Sequence, residues 1–281
     1  MEQHTISNHQ IASFAGKLQE DERSPATIEN YLRHIRAFAA WAGEQAVTKE
    51  LVASWKEHLT GKDYRPGTVN TMLVSLNRFL GFLGWHDCVV KTLRIQRRLF
   101  RDDSRDLTRS DYNALTAAAK AQNKTRLALL MEAICATGIR VSEVQYITVE
   151  AARAGRAEVA LKGKIRTILI PSKLCRKLLK YAKQQKTASG EIFLTRNGTH
   201  LSRRQIWAEM KGLCRTAGVA ASKVFPHNLR HLFAAAFYRA SRDIVKLADV
   251  LGHSSLETTR IYLLTSGAEH QRQLDRLGLV S

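Results

Sequence analysis

The sequence predicts a mainly α-helical protein of two domains: an N-terminal four-helix bundle and a C-terminal, mostly helical α+β domain with a small antiparallel sheet. Three observations predict this fold class. Apolar residues recur at helical spacing in the first 85 residues and again from about residue 108. Two short segments near residue 160 have strand character instead. Between residues 91 and 106 the apolar periodicity fades, as is typical of a domain boundary.

Four helices are predicted within residues 1–90, the expected first domain. Ser24 precedes Pro25, which combines an N-cap residue with proline at the first helical position. Thr48 is a second candidate N-cap, and Pro66 opens another helix. The predicted helices cover residues 11–18, 25–39, 48–59 and 66–83. Helices joined by such short connections favour a bundle.

The segment 91–106, KTLRIQRRLFRDDSRD, is predicted to link the two domains. It combines six basic residues with three aspartates. A charge run is most often a solvated segment, but its position favours a linker that also contacts a nucleic-acid backbone. The second domain is then expected to span residues 107–281.

A β-hairpin interrupts the helical pattern of the second domain. Its predicted strands are residues 158–161 and 167–170, with residues 162–166 as the turn and Pro171 ending the second strand. Residues 146–149 are a candidate third strand. Asn197-Gly198 marks a turn before a helix that starts near Ser202, and the chain is helical again after Pro226.

The charge of the chain is concentrated in its second part. The net charge is +19, yet residues 1–90 hold 9 basic and 10 acidic residues and the remainder carries +20. Such an excess indicates a polyanionic partner, most plausibly DNA or RNA. The alternatives are a solubilising surface and an anionic membrane, but no basic amphipathic anchor and no apolar run near the ~18 residues of a membrane span is present.

Cysteine usage and the N-terminus bear on the compartment. The four cysteines form no C-x-x-C pair, which disfavours zinc clusters and disulfide scaffolds. MEQHTISNHQ has neither the basic start nor the apolar core of a signal peptide. We therefore expect a protein of the reducing cytoplasm.

Four local signals in the basic part of the chain carry candidate chemistry. Arg140 and Glu143 are three residues apart, so a carboxylate can orient the guanidinium. His227 and Arg230 share a face just after Pro226, at a helix start where exposed N–H groups favour an anion. Taken singly, each pair also fits an ordinary surface ion pair or a structural histidine.

The other two signals lie near the C-terminus. Gly252 is the residue type expected just past a helix end, and His253 then precedes Ser254 and Glu257, which form a capping-box pattern for the next helix. Tyr262 follows nine residues after His253. A loop histidine and a packed tyrosine are the ordinary alternatives.

In this order the four signals resemble the tyrosine recombinase (phage integrase) family, and most closely its simple, Xer-like members. The residues that carry the resemblance are A-T-G-I-R-V-S-E, H-N-L-R-H, L-G-H-S and the tyrosine nine residues after that histidine. The resemblance implies a core-binding domain at the N-terminus and a catalytic domain at the C-terminus. We expect no separate arm-type DNA-binding domain before the bundle, which favours a simple recombinase.

The resemblance implies six catalytic residues and one supporting carboxylate. Arg140 and Arg230 are expected to grip the phosphate, His227 to accept or orient a proton, His253 to donate a hydrogen bond, and Tyr262 to attack. Glu143 is expected to support Arg140. The lysine of the family lies in the hairpin turn, commonly within G-K-G. Here the turn reads L-K-G-K, so Lys162 is the first choice as general acid and Lys164 the second.

The function implied is site-specific recombination of double-stranded DNA through a 3′-phosphotyrosyl intermediate and a Holliday junction. The partners are DNA and the protein itself, in a tetrameric synapse on two sites. No metal, ATP or other cofactor is expected, and no nucleotide-binding loop of the G-x-x-x-x-G-K-[ST] type is present. Two alternatives stay open: a type IB topoisomerase-like enzyme, and a catalytically silent DNA-binding regulator.

Overall fold

We describe a computed structural model of the protein over residues 4–95, 103–161, 164–262 and 275–277. The chain divides into two compact units, Met1–Arg97 and Arg98–Ser281. The domain limits at residues 90 and 106 stay predictions, because residues 96–102 of the expected linker lie outside the described part. Within the described ranges, no helix combines the length and the apolar character that a membrane span requires.

The first unit contains the four predicted helices. These are α1 (Asn8–Glu20), α2 (Pro25–Ala42), α3 (Lys49–Gly61) and α4 (Pro66–Phe82). Thr48 caps α3 as expected, since its hydroxyl accepts from the Leu51 N–H at 3.2 Å. Ser24 occupies the N-cap of α2, but its hydroxyl pairs with Thr27 Oγ1 instead of a backbone N–H. The predicted four-helix bundle is confirmed.

The apolar faces of these helices form one core. Its largest fully buried side chains are aromatic and aliphatic residues from all four helices: Phe14, Phe38, Phe79, Leu18, Ile35, Leu59, Leu73, Leu76 and Leu80. Because each helix buries one stripe against the others, the periodicity of apolar residues alone locates this core.

The second unit is mostly helical. Its α-helices are α5 (Arg109–Ala121), α6 (Thr125–Thr137), α7 (Val149–Ala154), α8 (Ser172–Gln184), α9 (Arg203–Lys211), α10 (Cys214–Ala217), α11 (Pro226–Ser241), α12 (Ile244–Leu251) and α13 (Leu256–Arg260). Ser202 caps α9 by accepting from the Gln205 N–H, so the helix starts where the sequence predicts it, near Ser202. The mainly α-helical class with a small sheet is confirmed.

The sheet is the predicted antiparallel hairpin, but residues 164–166, predicted as part of its turn, belong to the second strand. Strand β1 (Arg156–Leu161) pairs with β2 (Lys164–Leu169), and Val159 lies opposite Arg166. The third strand proposed for residues 146–149 is wrong. A 3₁₀ helix, Val141–Tyr146, ends there, and Thr148 caps α7 while forming an isolated bridge to Glu191. Capping therefore overrides the β-propensity of this segment.

Two tight backbone positions bring distant segments of the second unit together. Gly138 ends α6 in the left-handed conformation, with φ +66°, and a Cβ there would overlap the ring of Phe233 on α11. Gly252 ends α12 with φ +63°. The residues that follow these two glycines, Arg140 and His253, are thereby directed towards the buried start of α11.

Candidate active site

Arg140 and Glu143 form an interlocked pair at the start of a 3₁₀ helix. Arg140 is the N-cap residue, and Glu143 Oε2 accepts from its backbone N–H at 2.7 Å. Glu143 Oε1 accepts from Arg140 Nη1 at 2.9 Å. Burial alone would raise the pKa of Glu143, but the bonds from Arg140 and the charge of Arg166 outweigh it and hold the pKa below its ordinary value. The carboxylate therefore stays charged and keeps Arg140 oriented.

Arg230 is the largest fully buried side chain of the protein's described part. Its Nη1 donates to the carbonyl of Gly138, and its Nη2 donates to the carbonyl of Leu251 at 2.8 Å and to Nε2 of His253 at 3.0 Å. Burial, followed by the charge of Arg140, lowers its pKa. A guanidinium has five N–H donors in a rigid fork, so these fixed acceptors orient the group for a further anion.

The contacts of His253 determine which ring nitrogen carries its proton. Arg230 can only donate, so Nε2 is the acceptor. The proton therefore lies on Nδ1, which donates to Thr259 Oγ1 at 2.8 Å. Burial, then the charges of Arg230 and Arg140, lower the pKa of His253 to about 4. In the free protein the ring is neutral at physiological pH.

We expect the imidazole of His253 to titrate near pH 4 in a pH series of NMR spectra, with its signals assigned by their loss in His253→Gln. The folded state disfavours the charged ring, so between pH 6.5 and about 4 the unfolded chain binds more protons. The free energy of unfolding should fall as the pH falls through this window, and less steeply in His253→Gln. A His253 pKa at or above 6.5 would contradict the arrangement.

Tyr262 lies in the turn that follows α13. Its backbone N–H donates to the Thr259 carbonyl at 3.0 Å, and its side chain is 7% exposed, packed with Ala234, Leu247 and Leu251. The ring stacks on His253 with a centroid separation of 5.9 Å, and its hydroxyl interacts with the Arg230 guanidinium. The phenol, the buried arginine and His253 thus meet within one chain.

His231 is a site residue to which the sequence analysis assigned no role, although it ends the H-N-L-R-H motif. Its ring centroid lies 4.6 Å from that of Tyr262 and 4.6 Å from that of His227, which is exposed at the start of α11. The two histidines are four residues apart and therefore adjacent on the helix. That spacing is the signal that could have included His231.

The hairpin lysines are not resolved into one candidate. Lys162, the first choice for the general acid, lies outside the described residues. The backbone of Lys164 opens β2 opposite Leu161. Both lysines stay candidates for the same role.

The predicted capping box at the end of the motif region is wrong. Ser255, rather than Ser254, is the N-cap of α13, and its hydroxyl accepts from the Glu257 N–H at 3.2 Å. Two serines in succession offer the same chemistry. Ser255 adopts the extended backbone that an N-cap residue requires.

Arg166 on β2 is a second residue that the sequence analysis did not single out. Its Nη2 forms an ion pair with Glu143 Oε2, and its Nη1 donates to the carbonyl of Val250 at 3.2 Å. The side chain packs directly on Gly252, where a Cβ would overlap it. Its signal in the sequence is a charged residue two positions before Ile168, on the same face of the strand.

Three successive carbonyls at the end of α12 each accept from a different arginine. Val250 accepts from Arg166, Leu251 from Arg230, and Gly252 from Arg140 at 3.4 Å. The C-terminal end of a helix carries partial negative charge, which stabilises cations there. Among the described contacts of these three guanidiniums, one carboxylate, that of Glu143, offsets their charge. The cluster therefore has an excess of positive charge suited to a phosphate.

Two family models match the chain. The model described as the phage integrase family matches residues 105–268, and the one described as the phage integrase N-terminal SAM-like domain matches residues 11–87. Together they cover both compact units, and the first contains every residue of the cluster described above.

Curated relatives match over nearly the whole chain. Tyrosine recombinase XerA of Thermococcus kodakarensis is 28% identical over 275 residues, which are 95% of this chain and 94% of the relative. Tyrosine recombinase XerD of Xanthomonas axonopodis pv. citri is 27% identical over 271 residues, 88% of this chain and 89% of the relative.

Solved structures share the fold. A lambda integrase dimer bound to a COC′ core site matches with a TM-score of 0.73 at 17% identity, over 92% of this chain and 78% of that chain. The pre-cleavage complex of the XerH site-specific recombinase with its difH substrate matches with a TM-score of 0.67 at 18% identity, over 95% and 84%. Since the model of the catalytic region alone matches more than half of the chain, the protein belongs to the phage integrase family, whose matching curated relatives are named tyrosine recombinases.

Proposed function

We propose that the protein is a site-specific recombinase that cuts and rejoins duplex DNA through a covalent link between Tyr262 and a 3′ phosphate. The observation that carries this proposal is the packing of the Tyr262 phenol against the buried Arg230 and the ring of His253. The fixed positive charge of Arg230 lies beside the phenol oxygen, the atom that must attack phosphorus.

The two arginines account for the binding of the phosphate. Arg230 is fixed by three acceptors, and Arg140 is fixed by Glu143 while its side chain stays 42% exposed. Planar guanidiniums bind phosphate oxygens through paired N–H donors. As the phenol oxygen attacks, negative charge grows on the non-bridging oxygens, and donors held in place beforehand stabilise it.

The histidines handle protons and position the phenol. The phenol loses its proton as its oxygen bonds to phosphorus, and the neighbouring pair His231 and His227 offers a path for that proton. His253 accepts from Arg230 in the free protein. A phosphate beside the ring would oppose the effect of the arginines, raise the pKa of His253 and turn Nε2 into a donor.

The 5′ oxygen must be protonated as its bond to phosphorus breaks, because an alkoxide is a poor leaving group. We assign this role to Lys162, with Lys164 as the alternative. The hairpin that carries both lysines is joined to the arginine cluster through Arg166. The free 5′ hydroxyl later attacks the phosphotyrosine in the reverse reaction, so that the phosphodiester is restored without ATP or a metal.

We expect Lys162→Ala to cleave ordinary DNA slowly but to cleave DNA with a 5′-bridging sulfur at the wild-type rate. A thiolate leaves without a proton, so this substrate does not need the acid. Single-turnover rates on the two substrates measure the effect, with Lys164→Ala as the matched variant. An equal loss of rate on both substrates would exclude Lys162 as the acid. Rescue of Lys164→Ala by the sulfur substrate would assign the role to Lys164.

The assembly that we propose is a tetramer on two DNA sites, which exchanges strands through a Holliday junction in the cytoplasm. The excess of positive charge beyond residue 90 supports binding to DNA. Structures with the same fold include DNA-bound complexes.

A nicked duplex tests the proposed function. When cleavage occurs close to a nick, the short 5′-hydroxyl fragment diffuses away and rejoining stops, so that the covalent complex accumulates. We expect a protein–DNA adduct that survives denaturing electrophoresis. Salt-sensitive binding without an adduct would instead support the DNA-binding regulator.

A further inference from the structure

Arg166 occupies a place in β2 where the alternation of the strand predicts an apolar residue. Ile168 and Ile170, two and four residues further on, are buried, whereas Ile165 and Leu169 face outward at 79% and 74% exposure. Arg166 therefore belongs to the inward-facing set, and its pairing partner Val159 is 1% exposed. A charged residue on the buried face of a strand requires specific partners.

The partners of Arg166 belong to the anion-binding cluster. It contacts the same carboxylate that orients Arg140, and the carbonyl directly before the one that orients Arg230. Within the described residues its Nε is buried without a hydrogen-bond partner. Burying an unpaired donor lowers stability, so this atom carries a cost that the other contacts of Arg166 must offset.

We propose that Arg166 is a positioning residue of the recombination reaction: it locks Glu143 against the end of α12 and thereby fixes Arg140 for the scissile phosphate. This inference rests on the proposed function. Glu143 has two oxygens, and Arg140 uses both, one with its backbone and one with its guanidinium. Arg166 adds a second guanidinium on Oε2 and links this oxygen to the Val250 carbonyl at the end of α12.

The same contact joins the hairpin to the site. Arg166 is two residues after Lys164, where β2 begins. Its bonds to Glu143 and Val250 hold this end of the hairpin beside Arg140 and His253. A displacement of about 1 Å in a reacting group can reduce a rate on the order of 100-fold. We expect a loss of about this size in Arg166→Gln.

The test compares a normal scissile phosphate with a methylphosphonate, which lacks one negative charge. The neutral linkage has less need of Arg140, so the defect of Arg140→Ala should be smaller on it. If Arg166 acts through Arg140, Arg166→Gln should cleave the phosphate about 100-fold more slowly than the wild type. On the methylphosphonate, the cleavage rates of the wild type and the variant should differ much less. Arg156→Gln, an exposed arginine of the same hairpin, should match the wild type on both.

Two further comparisons separate positioning from folding. Arg166→Lys keeps the charge and most of the stem but cannot bind both acceptors. It should show a smaller loss of cleavage rate with the same substrate dependence. This comparison holds even if thermal melting shows that Arg166→Gln does not fold. Arg166→Gln should add little to the loss of Glu143→Gln, because both act through Arg140.

Each outcome separates the two proposals. Wild-type rates in Arg166→Gln, or equal losses on phosphate and methylphosphonate in a folded variant, would overturn the positioning role. Failure of the wild type to form an adduct with either linkage would instead reject the recombinase function itself.

Discussion

Tyr262→Phe is expected to form no covalent complex with nicked DNA while binding the same DNA with unchanged affinity. The substitution removes the oxygen to which we assign the attack and nothing else. The ring still packs with Ala234, Leu247 and Leu251 and stacks on His253, so the local fold is kept. Denaturing electrophoresis measures the adduct, and a mobility-shift titration at fixed salt measures binding.

Tyr238→Phe is the matched control for this experiment. Tyr238 lies on α11 and packs against the same apolar cluster as Tyr262. Removing its hydroxyl should leave the amount of adduct unchanged. An adduct that persists in Tyr262→Phe would move the nucleophile to another residue and invalidate the assignment of the site.

Arg230→Ala is expected to lower the rate of cleavage by at least about 100- to 1,000-fold, the effect of losing one donor to a transition-state oxyanion. Two consequences combine. The phosphorane loses a guanidinium, and Tyr262 loses the interaction with Arg230 that positions its hydroxyl. The carbonyls of Gly138 and Leu251 also lose their partner. Single-turnover cleavage of the nicked duplex measures the rate.

The structural cost of Arg230→Ala requires its own controls. Unpaired buried carbonyls cost about 1–3 kcal/mol each, so thermal melting should show a lower midpoint. Arg140→Ala, at a more exposed position, removes the other arm of the clamp with less disturbance of the core. Arg239→Ala, on the exposed side of α11, should cleave at the wild-type rate. Undiminished cleavage in both site variants would refute the phosphate clamp.

Much of the fold follows from local sequence features. Pro25, Thr48 and Pro66 mark helix starts that the structure places within one residue of them, because cap and first-turn chemistry is local. The apolar stripes that follow these starts are equally local in origin. The third strand was predicted wrongly. Thr148 caps α7 and meets Glu191 in an isolated bridge, a contact between distant segments that local sequence does not encode.

The assembly of the site depends on a different kind of information. Arg140, Arg230 and the pair formed by His253 and Tyr262 are far apart along the chain, and no local pattern brings them together. The order of the motifs, through the resemblance, gave this set of residues. The structure adds the mechanism by which they meet: two left-handed glycines and the three carbonyls that end α12.

Arg166 and His231 were missed for a physical reason. Arg166 has its effect through Glu143, and the register of the hairpin that aligns them is set by pairing between strands. His231 meets Tyr262 only because α13 returns the chain to α11. Both contacts are tertiary, and sequence spacing alone does not encode which distant residue a side chain will face.

The most direct measurement is to identify the residue that is bonded to DNA. The covalent complex from the nicked duplex would be digested with protease and nuclease, and the cross-linked peptide sequenced by tandem mass spectrometry. We expect a 3′-phosphate ester on the oxygen of Tyr262, with a free 5′ hydroxyl on the released fragment. A modified serine, histidine or other tyrosine, or a phosphate left on the 5′ fragment, would contradict the account.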